Sequence, residues 1–588
     1  MIVDDLGKFQ QLVEKRYNSP EYKDRRKKQS RFLKYYSGKY WQEQEQSYGD
    51  EVESSQRTPV SCNYIFSTIQ TIAPLLTDNR PIWYLRARKY FLQRFFQTYA
   101  DGLDYLWDKL EMDMQLFKAV LYSLIMGLGV FKVYWRNKEV AIDVVDPRTF
   151  VCADGYDDNW DAPWQGTATQ KPLSWVRQRF PKTGKDIKPG TDSTIDGEFD
   201  LVDRKEVELQ SQKVTVFEIW VKDDAAAAAM KEEAVGTEKK KSKTKKKYPN
   251  GRILTFAQGK MLEDKPSPFN HGKPNFVTLY DYIMPGDVFG MGEPDQIESM
   301  VLEYNMVLRK LAQYVRDYVD PDWAIDSSSG IDPKKFKDER KGGDNVWEIN
   351  PGSNPPVPLQ MAAINRSVLD FLTGLPGLIE EVSGNTKVTK GMAEKKQRQT
   401  AGEIATLIES SYTRTRQRVR NLESSIKRLS YLMVDIMQQN YKDERPYTLV
   451  RDGEVQAGSI SNSAEFAKRT MEPQKPGGFI KGREVKEEYK QELADFEKLV
   501  EYLGGDDTIY VDFDIEIQTN STLPTDKQSV ANLMLRLLEM KAVDPQAVLE
   551  TLRIPKAEEI VARMAEQQQA QQQPQGAQMP QPPQEATQ

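Results

Sequence analysis

The chain has 588 residues, room for about three or four domain-sized units, with 39% hydrophobic and 29% charged residues and a mean hydropathy of −0.67. Lys and Arg total 82 against 88 Asp and Glu, a net charge of −6, which excludes a surface that coats nucleic acid throughout and leaves only local basic features to meet phosphate. Two cysteines, Cys62 and Cys152, exclude a disulfide framework and a four-ligand zinc site, and the single histidine, His271, removes HExxH sites and multi-histidine relays. The first 28 residues lack the apolar stretch of a signal peptide, and no run approaches 18 apolar residues, so an intracellular soluble protein is expected.

Residues 1 to about 55 read as charged amphipathic helix ending in a polar loop. Tyr64, Ile65, Ile69 and Ile72 carry a helical stripe that should stop at Pro74. Helical spacing returns from Phe91 to Leu124, with Leu103, Leu106, Leu110, Leu116 and Val120 near one face. The pattern changes at Gly127-Leu128-Gly129. Residues 130–135 and 140–145 then read as strands joined at Arg136-Asn137-Lys138, and 214–221 as a third. Residues 223–248 interrupt the pattern with five alanines and a run holding seven lysines between Lys239 and Lys247, a solvated insertion that buries no apolar surface. Strand signals resume at 252–256 and 276–282.

The second half is sharper. Residues 295–319 contain neither Gly nor Pro, and Ile297, Val301, Tyr304, Leu308, Leu311, Val315 and Tyr318 step by four and three. That spacing predicts one helix roughly 37 Å long with a narrow seam. The same stepping from Ile404 to Ile436 predicts a helix over 401–438, roughly 57 Å long. Between them, 364–382 is apolar but holds Gly374, Pro376 and Gly377, and the proline should kink or end it. Val511, Phe513, Ile515 and Ile517 alternate with acids as a half-buried strand. Helical segments follow at 526–541, 545–552 and 556–565. The last 23 residues, with 11 Gln and 4 Pro, should be disordered.

Catalytic signals are weak. Gly127-x-Gly129 precedes a strand, whereas a phosphate-binding turn follows a strand and opens a helix, so a tight helix-to-strand turn is the better reading. His271 sits in a breaker-rich loop, without GxSxG or another nucleophile motif nearby. Asp154, Asp157, Asp158 and Asp161 lack the spacing of a calcium loop and read as a solvated loop. No enzyme, cofactor or metal is expected. Basic residues, by contrast, concentrate: nine Lys/Arg face three Glu between Lys395 and Arg428. A solvated helix face is the commonest reading of such charge. Arg414, Arg416, Arg418 and Arg420, however, wrap most of the helix at one level, which suits interchain ion pairs or phosphate contacts, the former preferred for these arginines and the latter for the lysines upstream. Residues 483–516, with twelve acidic and four basic residues, are the expected counter-surface.

The order of these features resembles the portal proteins of tailed bacteriophages, especially those of short-tailed phages. The resemblance rests on Asn63-Tyr64-Ile65 through Leu75-Leu76-Thr77-Asp78-Asn79-Arg80-Pro81, and on Gly127 to Trp135 continuing into Val145-Asp146-Pro147-Arg148-Thr149-Phe150. It continues with Phe217-Glu218-Ile219-Trp220, Pro285-Gly286-Asp287-Val288-Phe289-Gly290-Met291-Gly292, Tyr304-Asn305 and Gly402-Glu403-Ile404. It spans roughly residues 55 to 550. The Lys-rich insertion at 239–247 and Pro376 depart from the family's pattern.

The resemblance implies an α+β, mainly helical chain assembled as a ring, usually of twelve subunits, at one capsid vertex. Through it double-stranded DNA is packaged, retained and ejected. The parts would be an N-terminal wing (1–292), a first stem helix (293–319), a clip (320–361), a second stem helix (362–383), a tunnel loop (384–400), a long wing helix (401–440), a C-terminal wing (441–524), a crown (525–565) and a Gln/Pro-rich tail (566–588). Lys387, Lys390, Lys395, Lys396 and Arg398 would face DNA. Val301, Leu308, Leu311 and Val315, with the four arginines, would join subunits. Trp323, Lys334, Lys335, Lys337 and Trp347, beside short strands at 323–325 and 346–349, would meet the terminase packaging motor and the tail adaptor. Major capsid and scaffolding proteins are the further partners, with no membrane. The chain would be sited in the virion, and in host cytoplasm during assembly. The alternative is a non-portal head–tail adaptor or a scaffold-type assembly protein; strands at 130–145, 214–221 and 508–517 speak against a scaffold.

Overall fold

Helices Leu6–Tyr17 and Pro20–Tyr36 begin where side-chain oxygens can accept from free backbone N–H groups. Asp5 accepts from Gly7 and Lys8, and Ser19 accepts from Tyr22 with a proline at the first turn. The computed structural model describes residues 5–40, 60–78, 80–188, 213–223, 247–319, 321–339, 346–359, 362–384, 413–451, 454–473, 483–517 and 548. The chain divides into two units, Met1–Thr77 with Met112–Ile436, and Asp78–Glu111 with Met437–Gln588. Helices and antiparallel sheets are mixed in an α+β fold. Among the described residues, no helix is long and apolar enough to cross a membrane.

In the first unit, a five-stranded antiparallel sheet runs in the order Phe150–Cys152, Trp164–Pro172, Lys213–Val221, Arg252–Ala257, Lys260–Pro266. A three-stranded sheet places Leu128–Arg136 between Glu139–Val145 and Phe276–Tyr280. Their shared core includes Leu128, Val130, Phe150, Phe217, Ile219, Phe256, Phe276 and Phe289, closed by Phe9, Val13, Tyr17 and Tyr22 from the first two helices. The strand Arg252–Ala257 is buried along its whole length: it lies between two strands, Leu254 and Phe256 join the shared core, and Ala257 joins a second apolar cluster with Leu173, Val176, Ile187, Val214, Val216 and Leu262. Asn137 and Lys138 both take positive φ, the two-residue turn that joins the first predicted strand pair.

The turn after helix Met112–Met126 is a helix-to-strand turn. Gly127 has φ +86, and its N–H donates to Ser123. At Gly129 an added Cβ would lie 2.4 Å from the Ala119 carbonyl oxygen, so strand and helix touch through backbone. The acidic loop is engaged in contacts within the chain: Asp154 pairs with Arg16 at 2.7 Å, Asp158 with Arg428, and Asp157 accepts from the Gly286 N–H. His271 is packed flat on Phe269, accepts from the Lys273 N–H at Nδ1, and is pushed down to about 4 by burial and then by the Lys273 charge. It shapes its loop as a neutral ring.

Prolines break fewer helices than expected. Helix Tyr64–Thr77 continues through Pro74, because Ile65, Ile69, Ile72, Ala73 and Leu76 keep one face buried on both sides of it. Helix Arg366–Ser383 likewise passes through Pro376 without ending, anchored by Leu375, Ile379 and Ser383 at steps of four. A lost backbone bond is outweighed by packing on either side.

In the second unit, Trp83–Ala87 pairs antiparallel with Phe513–Ile517, so residues 78–111 belong with the C-terminal part of the chain and not with the surrounding N-terminal sequence. Helix Gln93–Lys109 sets Phe95 against Phe466 and Phe96 against Phe513. The ribbon Arg445–Arg451 with Glu454–Ile460 and helices Ala464–Met471 and Arg483–Leu503 complete it. Gln438 donates to the Val511 carbonyl and accepts from its N–H. The predicted C-terminal helical segments and the Gln-rich tail lie outside the described residues, apart from Val548, as do 401–412 and the lysine run up to Lys246.

Candidate functional site: a helical hairpin and its buried root

The helix Glu293–Val319 begins in the core and leaves it. Glu293, Pro294, Ile297, Val301 and Asn305 are buried, and nothing from residue 306 to 319 is. It packs with Arg366–Ser383, where only Leu375, Ile379 and Ser383 are buried. Tyr314 Oη donates to the Ala362 carbonyl at 2.7 Å, Asn365 caps the returning helix, and Gly384 ends it with φ +69. Apolar side chains remain on the outside of both helices: Val315, Tyr318, Val319 (78% exposed), Val368, Leu369, Phe371, Leu378 and Val382. Eight exposed large apolar side chains on two helices are more than isolated surface residues would explain.

Between the helices, a two-residue ribbon pairs Trp323 with Pro358 and Ala324 with Val357. Helix Pro333–Glu339 delivers Phe336 into the space between Trp323 and Trp347, with ring centroids 5.5 and 5.1 Å away, and Ile331 is buried alongside. Asp326 organises the turn: it accepts from the Ser328 N–H and hydroxyl and from Asn354, and the Ser328 backbone bond leads the lowering of its carboxyl below the usual range. The strand expected at 346–349 does not form. Val346 is 92% exposed, and the ribbon partner is Val357–Pro358, because Trp347 packs on Phe336 instead.

The root of the hairpin joins three elements. Asp295 accepts from the Gly292 N–H, capping the helix, and pairs with Lys28. Arg418, on helix Thr413–Asn440, is 4% exposed; its Nε lies 2.8 Å from Asp281 Oδ1, and it also pairs with Glu293 and contacts the Tyr282 hydroxyl. Tyr282 Oη donates to Glu293 at 3.2 Å. Higher up, Asn305, 1% exposed, accepts from the Cys62 N–H at 2.7 Å and donates to the Cys62 carbonyl at 3.2 Å, so a side-chain amide mimics one rung of a β-ladder. Tyr64 and Tyr304 meet edge to face beside it.

The expected site residues separate accordingly. Trp323, Lys334, Lys335, Lys337 and Trp347 come together at the hairpin tip, with all three lysines exposed. Leu308 and Leu311 are half-buried and Val315 is exposed, but Val301 is fully buried in its own unit and has no surface for a neighbour. Arg416 and Arg420 are exposed, whereas Arg418 pairs inside its own chain, since two buried carboxylates face it. The Arg414 side chain, Lys387, Lys390, Lys395, Lys396 and Arg398 lie outside the described residues. Asp281 and Glu293 went unrecognised in the sequence, and Asn305 entered only as part of the Tyr304-Asn305 motif with no role, though Asp281 did leave a signal as a lone acid within the apolar run 276–284. A family model described as Phage P22-like portal protein matches residues 15–588. No curated protein matches the chain.

Proposed function

The chain belongs to the P22-like phage portal protein family, and on that premise we propose that it forms a ring, of twelve subunits in the usual family pattern, at one capsid vertex, and that double-stranded DNA passes through it during packaging, retention and ejection. The single observation that carries this reading beyond the family is the hairpin, which leaves the core after Asn305 with more apolar side chains outside than inside. Head-to-tail copies would cover that surface, with Leu308, Leu311, Val315, Arg416 and Arg420 among the contacts. Residues 1–292 and 441–524 serve as wing, 293–319 and 362–383 as stem, 320–361 as clip, 384–400 as tunnel loop, 401–440 as long wing helix and 525–565 as crown. The aromatic tip with its lysines docks the packaging motor and later the tail adaptor.

Each copy carries a net charge of −6, so the ring as a whole repels the polyanion inside it. Sliding needs that: each neutralised phosphate adds affinity, and affinity at many points is friction. Lys387, Lys390, Lys395, Lys396 and Arg398 supply the local and transient contacts. Changing these five to Glu is expected to leave rings visible in negative-stain images while packaged DNA falls. Normal packaging and genome retention in that variant would overturn the assignment of the loop, and monomers or filaments of the unmodified chain would overturn the ring.

A further inference from the structure

Two carboxylates share one guanidinium at the hairpin root. Asp281, at the corner between strands Phe276–Tyr280 and Tyr282–Met284, and Glu293, the first residue of the long helix, are each about fully buried at 0–1% side-chain exposure, and Arg418 pairs with both. The neighbouring cations are engaged elsewhere. From helix Pro20–Tyr36, Lys28 pairs with Asp295, Arg31 with Glu298 at 2.8 Å, and Arg25 with Asp287 at 2.9 Å. From helix Thr413–Asn440, Asn421 donates to the Asp281 backbone carbonyl, and Arg416 and Arg420 are exposed. Glu293 Oε2 is buried without a hydrogen-bond partner among the described residues. With both carboxylates ionised the cluster holds a net −1 charge away from water; with one proton it is neutral and can donate an O–H bond.

We propose that Asp281, Glu293 and Arg418 form a proton-operated latch at the root of the hairpin, closed with one proton on the carboxylate pair and loosened when both carboxylates are ionised. Burial is the leading cause that raises Asp281 to about 7; Arg418 opposes it and Asp295 reinforces it. The native state therefore holds a proton that an unfolded or opened chain, with Asp281 back in water, has released. Between the ordinary carboxylate range and about pH 7, raising the pH disfavours the closed form, and above that range the loss is complete. The three members come from the sheet corner, the helix that leaves the core and the helix that follows residues 385–412, so release frees the start of the hairpin from both.

The test is hydrogen exchange on the full-length protein at pH 6 and pH 8.5, with each rate corrected for the intrinsic pH dependence of amide exchange. In the unmodified chain, protection of amides in 281–283 and 293–297 is expected to fall roughly tenfold between the two values. Asp281→Asn leaves one carboxylate for one guanidinium, so its protection at these amides should be the same at both pH values. Glu293→Gln should behave likewise and serves where Asp281→Asn fails to fold. Infrared spectra should show a protonated carboxyl band in the unmodified chain at pH 6 that is lost by pH 8.5 and missing from Asp281→Asn. Equal protection at the two pH values in the unmodified chain, or an unchanged pH response in both variants, would overturn the latch.

Discussion

Asn305→Ala tests whether a single amide fixes the point where the long helix leaves the core. The substitution deletes an acceptor 2.7 Å from the Cys62 N–H and a donor 3.2 Å from its carbonyl. Each bond contributes about 1 kcal/mol net, and the vacated space adds a further fraction. Cys62 is half-buried, so its freed groups regain some water and the total comes to about 2 to 3 kcal/mol. A chain of two units does not unfold in one step, so a global unfolding midpoint would dilute the effect. Hydrogen exchange reads it locally: amides in 301–309 and 60–66 are expected to exchange roughly 30- to 150-fold faster, each 1.4 kcal/mol being tenfold. Asn305→Asp keeps the acceptor but aims a second carboxylate oxygen at the Cys62 carbonyl, and should open the same amides at least as much. Exchange within twofold of the unmodified protein in Asn305→Ala would refute the reasoning.

Two further substitutions separate tip from body. Phe336→Ala removes the ring that joins Trp323 to Trp347 and should destabilise the tip by about 3 kcal/mol, the low end for a buried phenylalanine because its partners are themselves part-exposed. Trypsin should then cut at Lys334, Lys335 or Lys337 many times faster while cleavage at other sites keeps its rate, and an unchanged cleavage rate at these three lysines would contradict the packing. Gly129→Ala pushes a methyl group to 2.4 Å from the Ala119 carbonyl, backbone against backbone with no flexible side chain to yield. Soluble yield should fall sharply and amides in 112–136 should exchange far faster; exchange there matching the unmodified protein would show that helix and strand can separate at no penalty.

Much of the fold was legible because its signals are local. The four-and-three stepping from Ile297 to Tyr318 gave the first long helix nearly to the residue, and the strand expected at 214–221 forms as Lys213–Val221. Gly127 and Gly129 announced a tight turn, and backbone contact is the reason. The prolines misled for the same local reason: Pro74 and Pro376 remove one hydrogen bond each, but packing on both sides of them comes from elsewhere in the chain.

Long-range partners decided the rest. Nothing within 78–111 indicates that Trp83–Ala87 pairs with Phe513–Ile517, since strand pairing is set by register between segments more than 400 residues apart. Val301 and Val315 lie on one seam of the same helix and are indistinguishable by spacing, yet one is fully buried in its own unit and the other exposed. Among four arginines within seven positions, only tertiary structure puts Arg418 against Asp281 and Glu293, because the fate of a charge depends on which acids the fold brings into the dry interior beside it. The sequence by itself determined the first long helix, part of the strand set and the acidic balance, which follow from composition and period, while its quoted motifs in their order carried the family resemblance. Tertiary structure decided which faces stay uncovered, which charges are buried, and where the hairpin leaves the core.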